Sequence, residues 1–167
     1  MKDRVKLNEA LSPEKQSYLE EFGLFFEKLG TGRIAGLILG YVLISDRPEV
    51  SFTELVGALG VSKASVHNQL KTLEQTGFIK SLRFTDDRNT YYRIGARDMG
   101  EMTVRRMAMT IHFVALMQRG HDLKQNKQDD AAYFLRDTAG FYSWLHGKMS
   151  QLLQEWEQER DQYHQQS

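Results

Sequence analysis

The sequence predicts a mainly α-helical chain with one small β-hairpin and two long helices toward its carboxyl end. Three observations predict it. Only Pro13 and Pro48 are prolines among the 167 residues, so nothing after Pro48 bars a helix by lacking an amide donor. Ser12, Ser51, Ser62 and Asp98 each precede apolar residues at helical spacing, as N-caps do. One stretch, 78–94, reads instead as two short strands around a polar turn.

Ser12-Pro13-Glu14 opens the first helix with proline at its first position, where no amide hydrogen is needed. It should run to about Leu29 and stop at Gly30, with Tyr18, Phe22, Phe25, Phe26 and Leu29 as its buried stripe. Thr31 is expected to cap a second helix, Ile34–Ile44, which is apolar almost all round and therefore central to the core. Gly32, Gly36 and Gly40 share one face at four-residue steps, where another helix can approach closely. This apolar run is too short for a membrane span, which needs roughly 20 residues. The polar amino end, MKDRVKLNEALSPEK, lacks the apolar core of a secretory signal. A soluble, cytoplasmic protein with no membrane partner is expected.

Ser51-Phe52-Thr53-Glu54 has the form of a capping box. The helix it opens, Phe52 to Leu59, turns Leu55, Val56 and Leu59 inward. Gly60-Val61 makes a tight turn, and Ser62 caps a helix from Lys63 to about Thr76 that stops at Gly77. Helix, glycine turn and longer helix form a helix-turn-helix. The second helix buries Val66, Leu70 and Leu73, so its opposite face carries Ala64, Ser65, Asn68, Lys71, Thr72 and Gln75, with Lys63 and His67 at the margin. Small, hydrogen-bonding and basic residues, with no carboxylate before Glu74, suit the floor of a DNA major groove. The strands Phe78–Phe84 and Thr90–Ile94 then form a wing around Thr85–Asn89. Its tip presents Arg88, a side chain suited to a narrow minor groove, and Asp86 is expected to stiffen the turn and aim it.

Charge agrees with this placement. Lys+Arg and Asp+Glu number 22 each, so no global charge argument exists. Residues 62–97 nevertheless hold seven basic groups (Lys63, Lys71, Lys80, Arg83, Arg88, Arg93, Arg97) against three acidic ones, a local excess that matters once folding collects it on one surface. The segments on either side are each slightly acidic.

The last third is helical. Asp98 with Glu101 forms another capping box, for a helix to about Arg119 ended by Gly120 and lined on one side by Met102, Met109, Phe113, Leu116 and Met117. After the link HDLKQNKQDD, a helix runs from about Asp130 to near Tyr163. Its heptad seam reads Leu135, Thr138, Tyr142, Leu145, Met149, Leu152, Trp156, Glu159 and Tyr163. Phe134, Phe141 and Leu145 add a second stripe. Gly140 and Gly147 each cost about 1 kcal/mol relative to alanine, and mark a close crossing or a kink. Such a helix spans roughly 50 Å, more than this chain can cover alone, so a two-fold homodimer is expected. The domain reading is therefore 1–30, an N-terminal helix for dimer or core packing; 31–97, a winged helix-turn-helix; and 98–167, a helical dimerisation and effector region.

GRIAGLILGYVLISDRPEVSFTELVGALGVSKASVHNQLKTLEQTGFIKSL resembles the GbsR-type branch of the MarR-like winged-helix transcriptional regulators. DDRNTYYRI resembles the aspartate-x-arginine wing of the wider family, and the likeness spans about residues 31–94. The resemblance implies a homodimeric regulator, a repressor, bound to a palindromic operator in double-stranded DNA. Ser62, Lys63, Ser65, His67, Asn68 and Lys71 would make recognition-helix contacts and Arg88 the wing contact; Thr72, on the outer face of that helix, and Arg83, in the basic stretch, complete the candidate DNA-binding residues. Asn89 and Thr90 stand where the family's wing has further basic residues. Some members of this branch respond to choline or related osmolytes. Phe113, Phe141, Tyr142, Trp144 and Trp156 would then be candidates for an aromatic cage around a small-molecule effector. Core or dimer packing is the competing reading of the same five.

Enzymatic chemistry has no support in the sequence. No phosphate-cradling glycine loop, nucleophile elbow or HExxH pair occurs, and the five histidines are scattered without an i, i+4 pair. The absence of cysteine removes disulfides, thiolate metal sites and cysteine nucleophiles together. No cofactor and no metal is expected. The alternative to DNA binding is a winged-helix protein-interaction module without sequence-specific DNA binding.

Overall fold

The computed structural model describes residues 11–96 and 98–164. In chain order these form α1 (Pro13–Lys28), α2 (Arg33–Ile44), β1 (Val50–Ser51), α3 (Phe52–Leu59), α4 (Lys63–Gln75), β2 (Ile79–Arg83), β3 (Thr90–Ile94), α5 (Met99–Leu123) and α6 (Asp130–His164). The chain divides into two compact units, Met1–Arg97 and Asp98–Ser167, so α1 shares a unit with the helix-turn-helix.

The first unit is built around α2, buried from Ala35 through Gly40 and again at Val42. Its glycines fix how closely α1 approaches. A Cβ on Gly36 would lie 2.7 Å from the Phe22 carbonyl oxygen and 2.9 Å from Gly23 Cα, so no side chain fits between the backbones. Gly40 meets Leu19 in the same way, at 3.1 Å. Gly32 does not join this face; it is the N-cap of α2, with φ 102°. Thr31 is not the cap either. Its amide donates to the Phe26 carbonyl at 3.1 Å, closing α1, and because the N-cap position of α2 falls on Gly32 that helix begins without a side-chain cap.

The buried line of α1 also differs from the aromatic stripe expected of it. Leu19, Gly23 and Phe26 are buried, whereas Tyr18, Phe25 and Leu29 are exposed. Close approach to α2 selects the face that carries Gly23; Phe22 and Phe26 of the expected stripe pack on it beside Gly40 and Gly36, and Tyr18, Phe25 and Leu29 fall outside it.

In the helix-turn-helix, Ser51 Oγ accepts from the Glu54 amide at 3.1 Å and Ser62 Oγ from the Ser65 amide at 3.1 Å. Leu55, Ala58 and Leu59 of α3 and Val66, Leu70 and Leu73 of α4 are buried, with Val56 only half so. Gly77, at φ 78°, takes the left-handed conformation that ends α4. There the Gly77 amide donates to Glu74 and the Phe78 amide to Leu73, each at 3.0 Å, sending the chain directly into β2. The sheet has the order β1-β3-β2, antiparallel throughout, with Val50 opposite Tyr92 and Lys80 opposite Arg93.

The second unit is the pair α5 and α6. Gly120 does not end α5, which continues to Leu123; a Cβ there would lie 3.2 Å from Leu135 Cδ2, so Gly120 admits α6. Asp129 then starts α6, accepting from the Ala132 amide and from Lys124 Nζ, both at 2.8 Å. Of the stripe expected on α5 only Met102 is buried; Met109 and Leu116 are 73% and 60% exposed. The half-buried line keeps Met117 of that stripe and otherwise runs through Thr103, Met107, Thr110, Val114 and His121. On α6 most of the heptad seam is half-buried, but Leu152, Glu159 and Tyr163 are exposed. Gly140 and Gly147 meet no neighbouring atoms, and α6 runs through both.

Candidate nucleic-acid interface

The capped start of α4 and its three buried leucine and valine positions determine which residues face outward. Lys63, Ala64, His67, Asn68, Lys71 and Gln75 are exposed, with Ser65 and Thr72 half-buried at the edges. Three of the hydroxyls expected to contact DNA already have partners within the helix. Ser62 Oγ and Ser65 Oγ lie 2.8 Å apart at the cap, and Thr72 Oγ1 donates to the Asn68 carbonyl at 3.2 Å. The groups that project outward are therefore Lys63, His67, Asn68 and Lys71.

Glu74, the one carboxylate of α4, is turned away from that face. Its Oε1 accepts from the Ser81 amide at 3.0 Å, tying the end of α4 to β2. The sequence places Glu74 late in the helix, but only the fold shows its charge committed to the sheet.

The wing is braced from inside. Phe84 and Tyr91 pack edge to face, with ring centroids 5.2 Å apart across the β2–β3 ladder. Asp86 does not stiffen the turn, as had been expected of it; Asp87 does. Asp87 Oδ1 accepts from the Asn89 amide at 2.8 Å and its Oδ2 from the Tyr91 hydroxyl at 2.5 Å. The Tyr91 hydrogen bond, with the Asn89 amide second, holds the Asp87 carboxyl below its ordinary range, and the same bond raises the Tyr91 phenol. The residue after Asp86 sits inside the turn, where both partners are within reach. Arg88, between Asp87 and Asn89, is exposed, as is Arg83 at the end of β2. Thr53 Oγ1, in the first turn of α3, meets Asn89 Oδ1 at 3.4 Å.

Lys63, Lys71, Lys80, Arg83 and Arg88 are all exposed, while Arg93 is half-buried with its Nε enclosed. Arg97 lies outside the described residues. Beneath this surface Glu54 accepts from the Tyr41 hydroxyl at 3.0 Å and pairs with Arg47 at 3.6 Å. Burial first, and the Glu54 charge second, push the Tyr41 phenol up to about 12. The Glu54 carboxylate thus serves α2 and the loop after it.

The five aromatics of the second unit do not form one enclosure. Tyr142 meets both Phe113 and Phe141, with ring centroids 5.4 and 5.5 Å away, and Trp144 lies 6.1 Å from Phe141. Trp156 stacks instead with Tyr163 and lies near Gly100. Phe141 and Trp144 are more than half exposed. A shallow groove beside them is lined by Thr110, Ile111, Val114, Tyr142, Ser143 and His146. Among the described residues no group of three or more His, Asp or Glu side chains is placed to hold a metal, and no helix is long and apolar enough to cross a membrane.

A cleared recognition helix beside a braced hairpin defines a winged helix-turn-helix protein. Similarity to known proteins narrows the kind. A family model described as the MarR family matches residues 42–90, and one described as an MmpR5-like MarR family transcriptional regulator matches residues 99–159. The HTH-type transcriptional regulator MmpR5 of Mycobacterium tuberculosis (strain ATCC 25618 / H37Rv) is 35% identical over 82 residues, which cover 49% of this chain and 50% of that one. The chain thus matches about half the length of this curated relative. The crystal structure of a transcriptional regulator matches with a TM-score of 0.78 at 25% identity, over 87% of this chain and 99% of that one. The fold is a winged helix-turn-helix, and the proteins it resembles, MarR family members among them, are transcriptional regulators rather than enzymes.

Proposed function

We propose that this chain is a sequence-specific double-stranded DNA-binding transcriptional regulator, a repressor that acts in the cytoplasm as a homodimer on a palindromic operator. Residues 63–76 enter the major groove and the wing turn, 85–90, the adjacent minor groove. One observation carries this reading: Lys63, His67, Asn68 and Lys71 project from α4, whose single carboxylate is engaged by the Ser81 amide. Lysines supply phosphate contacts and Asn68 a bidentate base-reading amide.

The homodimer is supported by the second unit, where Met109, Leu116, Phe134, Phe141 and Trp144 are all at least half exposed. Apolar surface of that extent calls for a second copy. Within the MarR-type fold, the finer GbsR-type assignment rests on the likeness of residues 31–94. Its effector would be a quaternary ammonium held at Phe113, Phe141, Tyr142, Trp144 and Trp156. Because these rings are not gathered in one chain, the cage reading requires a partner copy to complete it.

Selection of bound sites from random duplexes by the purified chain tests the proposal. Enrichment of two inverted half-sites about one helical turn apart is expected, with log K falling steeply against log[salt]. Absence of any enriched sequence overturns the reading in favour of a protein-interaction module. Titration with choline, with no heat and no change in DNA affinity, removes the effector.

A further inference from the structure

The wing turn and the first helix of the helix-turn-helix are linked by a series of hydrogen bonds that passes through the backbone and the side chain of Asn89. Tyr91 Oη donates to Asp87 Oδ2, Asp87 Oδ1 accepts from the Asn89 amide, and the Asn89 side chain reaches Thr53 Oγ1 of α3. Arg88 lies between Asp87 and Asn89, the two turn residues that these bonds hold, and its own side chain is exposed. Phe84 packs on Tyr91 from across the ladder and fixes the ring that carries the hydroxyl.

We infer that Asp87 is a positioning residue for DNA binding: with Tyr91, Asn89 and Thr53 it fixes the wing turn so that Arg88 is held out for the minor groove before DNA arrives. The inference rests on the regulator reading above and deepens it. Asp87 is an anion next to the wing's arginine, and a carboxylate directed at DNA would repel phosphate. Its two oxygens are instead turned inward onto Tyr91 and Asn89, so the negative charge serves the turn. Ordering a long side chain on binding lowers affinity by roughly 2- to 10-fold, and a turn fixed beforehand avoids part of that loss. Asn89 and Thr90 add no further cation, so the placement of one arginine matters more here.

Asp87→Ala and Tyr91→Phe are the test, in the full chain, on the duplexes that the wild-type protein recovers from a random library. Each is expected to weaken binding about 3- to 10-fold with the thermal midpoint of the first unit little changed. Each should also lessen discrimination between A·T-rich and G·C-rich sequence under the wing, because a narrow minor groove is what a fixed arginine detects. Half-site preference, read by α4, should persist. In an Arg88→Ala background neither substitution should weaken binding further, which a general loss of stability would not reproduce. If Asp87→Ala fails to fold, Tyr91→Phe carries the same test, since it removes one hydroxyl only. Unchanged affinity and groove preference in the single variants, or full additivity with Arg88→Ala, overturns the inference while leaving the regulator reading intact. If the wild type recovers no duplex, both fall.

Discussion

In the first unit Leu37, Ile38, Leu55 and Leu73 have no exposed surface, whereas in the second Phe134, Leu116 and Trp144 are 63%, 60% and 59% exposed. Both units are made largely of amphipathic helices, so the difference lies in what each has to pack against. Around α2 there are partners on all sides: α1 on its glycine face, α4 beneath it, and the sheet. The second unit has two helices only, and two helices bury one stripe each. The first unit therefore completes a core within one chain, although Phe25 and Leu29 of α1 stay exposed, and the second buries almost none of its large apolar side chains by itself. Substitutions that unfold the first unit should accordingly separate from those that dissociate the second.

The largest expected effect follows from the α1–α2 contact. Gly36→Ala places a methyl 2.7 Å from a carbonyl oxygen and 2.8 Å from Phe26 Cβ, and backbone cannot give as a flexible side chain can. A loss of about 3 kcal/mol is expected, the upper part of the usual range for overpacking. Chemical denaturation monitored at the first unit should show it, and the loss should not depend on protein concentration. A loss below about 1 kcal/mol would mean that the two helices slide apart easily and that the core is not set by this crossing.

Next in size is the opposite case. Phe141→Glu with Trp144→Glu alters two side chains that are already more than half exposed in one chain. The isolated subunit should stay helical, while the molar mass in sedimentation equilibrium falls from dimer to monomer and operator affinity collapses with it. Residues at the centre of such interfaces typically contribute about 2 kcal/mol or more. A double variant that remains dimeric at micromolar concentration would show that the interface lies elsewhere.

How much of this was legible in the sequence follows the same division. The caps and the α4 triplet are legible in the helix-turn-helix because local chemistry and tertiary packing agree there: Ser51, Ser62, Val66, Leu70 and Leu73 do what their spacing implies, whereas on α3 Ala58 takes the buried place expected of Val56. Errors came where a tertiary contact reassigned a residue. Thr31 has the hydroxyl a cap needs, but Gly32 takes the N-cap position of α2; Gly120 has the bare backbone of a helix stop, but the space it leaves admits Leu135 and the helix continues. Periodicity places Met102 and Met117 of α5 correctly but not Met109, Phe113 and Leu116, because its apolar residues are spread around the helix and only α6 decides which line is covered. β1 is two residues long and exists through its pairing with β3, so no local pattern could reveal it. The choice between Asp86 and Asp87 depends on a hydroxyl four residues on, which only the hairpin register brings within reach.

Smaller effects belong to the DNA surface. Lys71→Ala and Arg88→Ala remove exposed cations, so stability should hardly move, while each lowers the slope of log K against log[salt] by about one if it meets a phosphate. Asn68→Ala should instead relax sequence preference more than it weakens nonspecific binding. Equal affinity of the wild type and the Lys71→Ala/Arg88→Ala double variant, measured at two salt concentrations, would count against the α4-and-wing geometry.

The smallest effect probes the first unit's interior directly. Tyr41 donates to Glu54 at 3.0 Å, and its phenol is pushed up from 10.0 to about 12. As pH rises through that window the unfolded chain loses this proton first, while the folded chain still holds it. Folding then binds a proton more tightly than unfolding does, so the contribution is fully present below about pH 10 and fades toward pH 12. Tyr41→Phe lacks both the hydrogen bond and the titration. Its stability should lie about 1 kcal/mol below the wild type at neutral pH. The gap should narrow between pH 10 and 12, because only the wild type loses stability to this group. Urea unfolding at pH 8, 10 and 11.5 would measure it. A gap that stays constant across the three would mean that the Tyr41 hydroxyl is no better shielded than those on the open face of the second unit, and the contrast between the two units would fail at this residue.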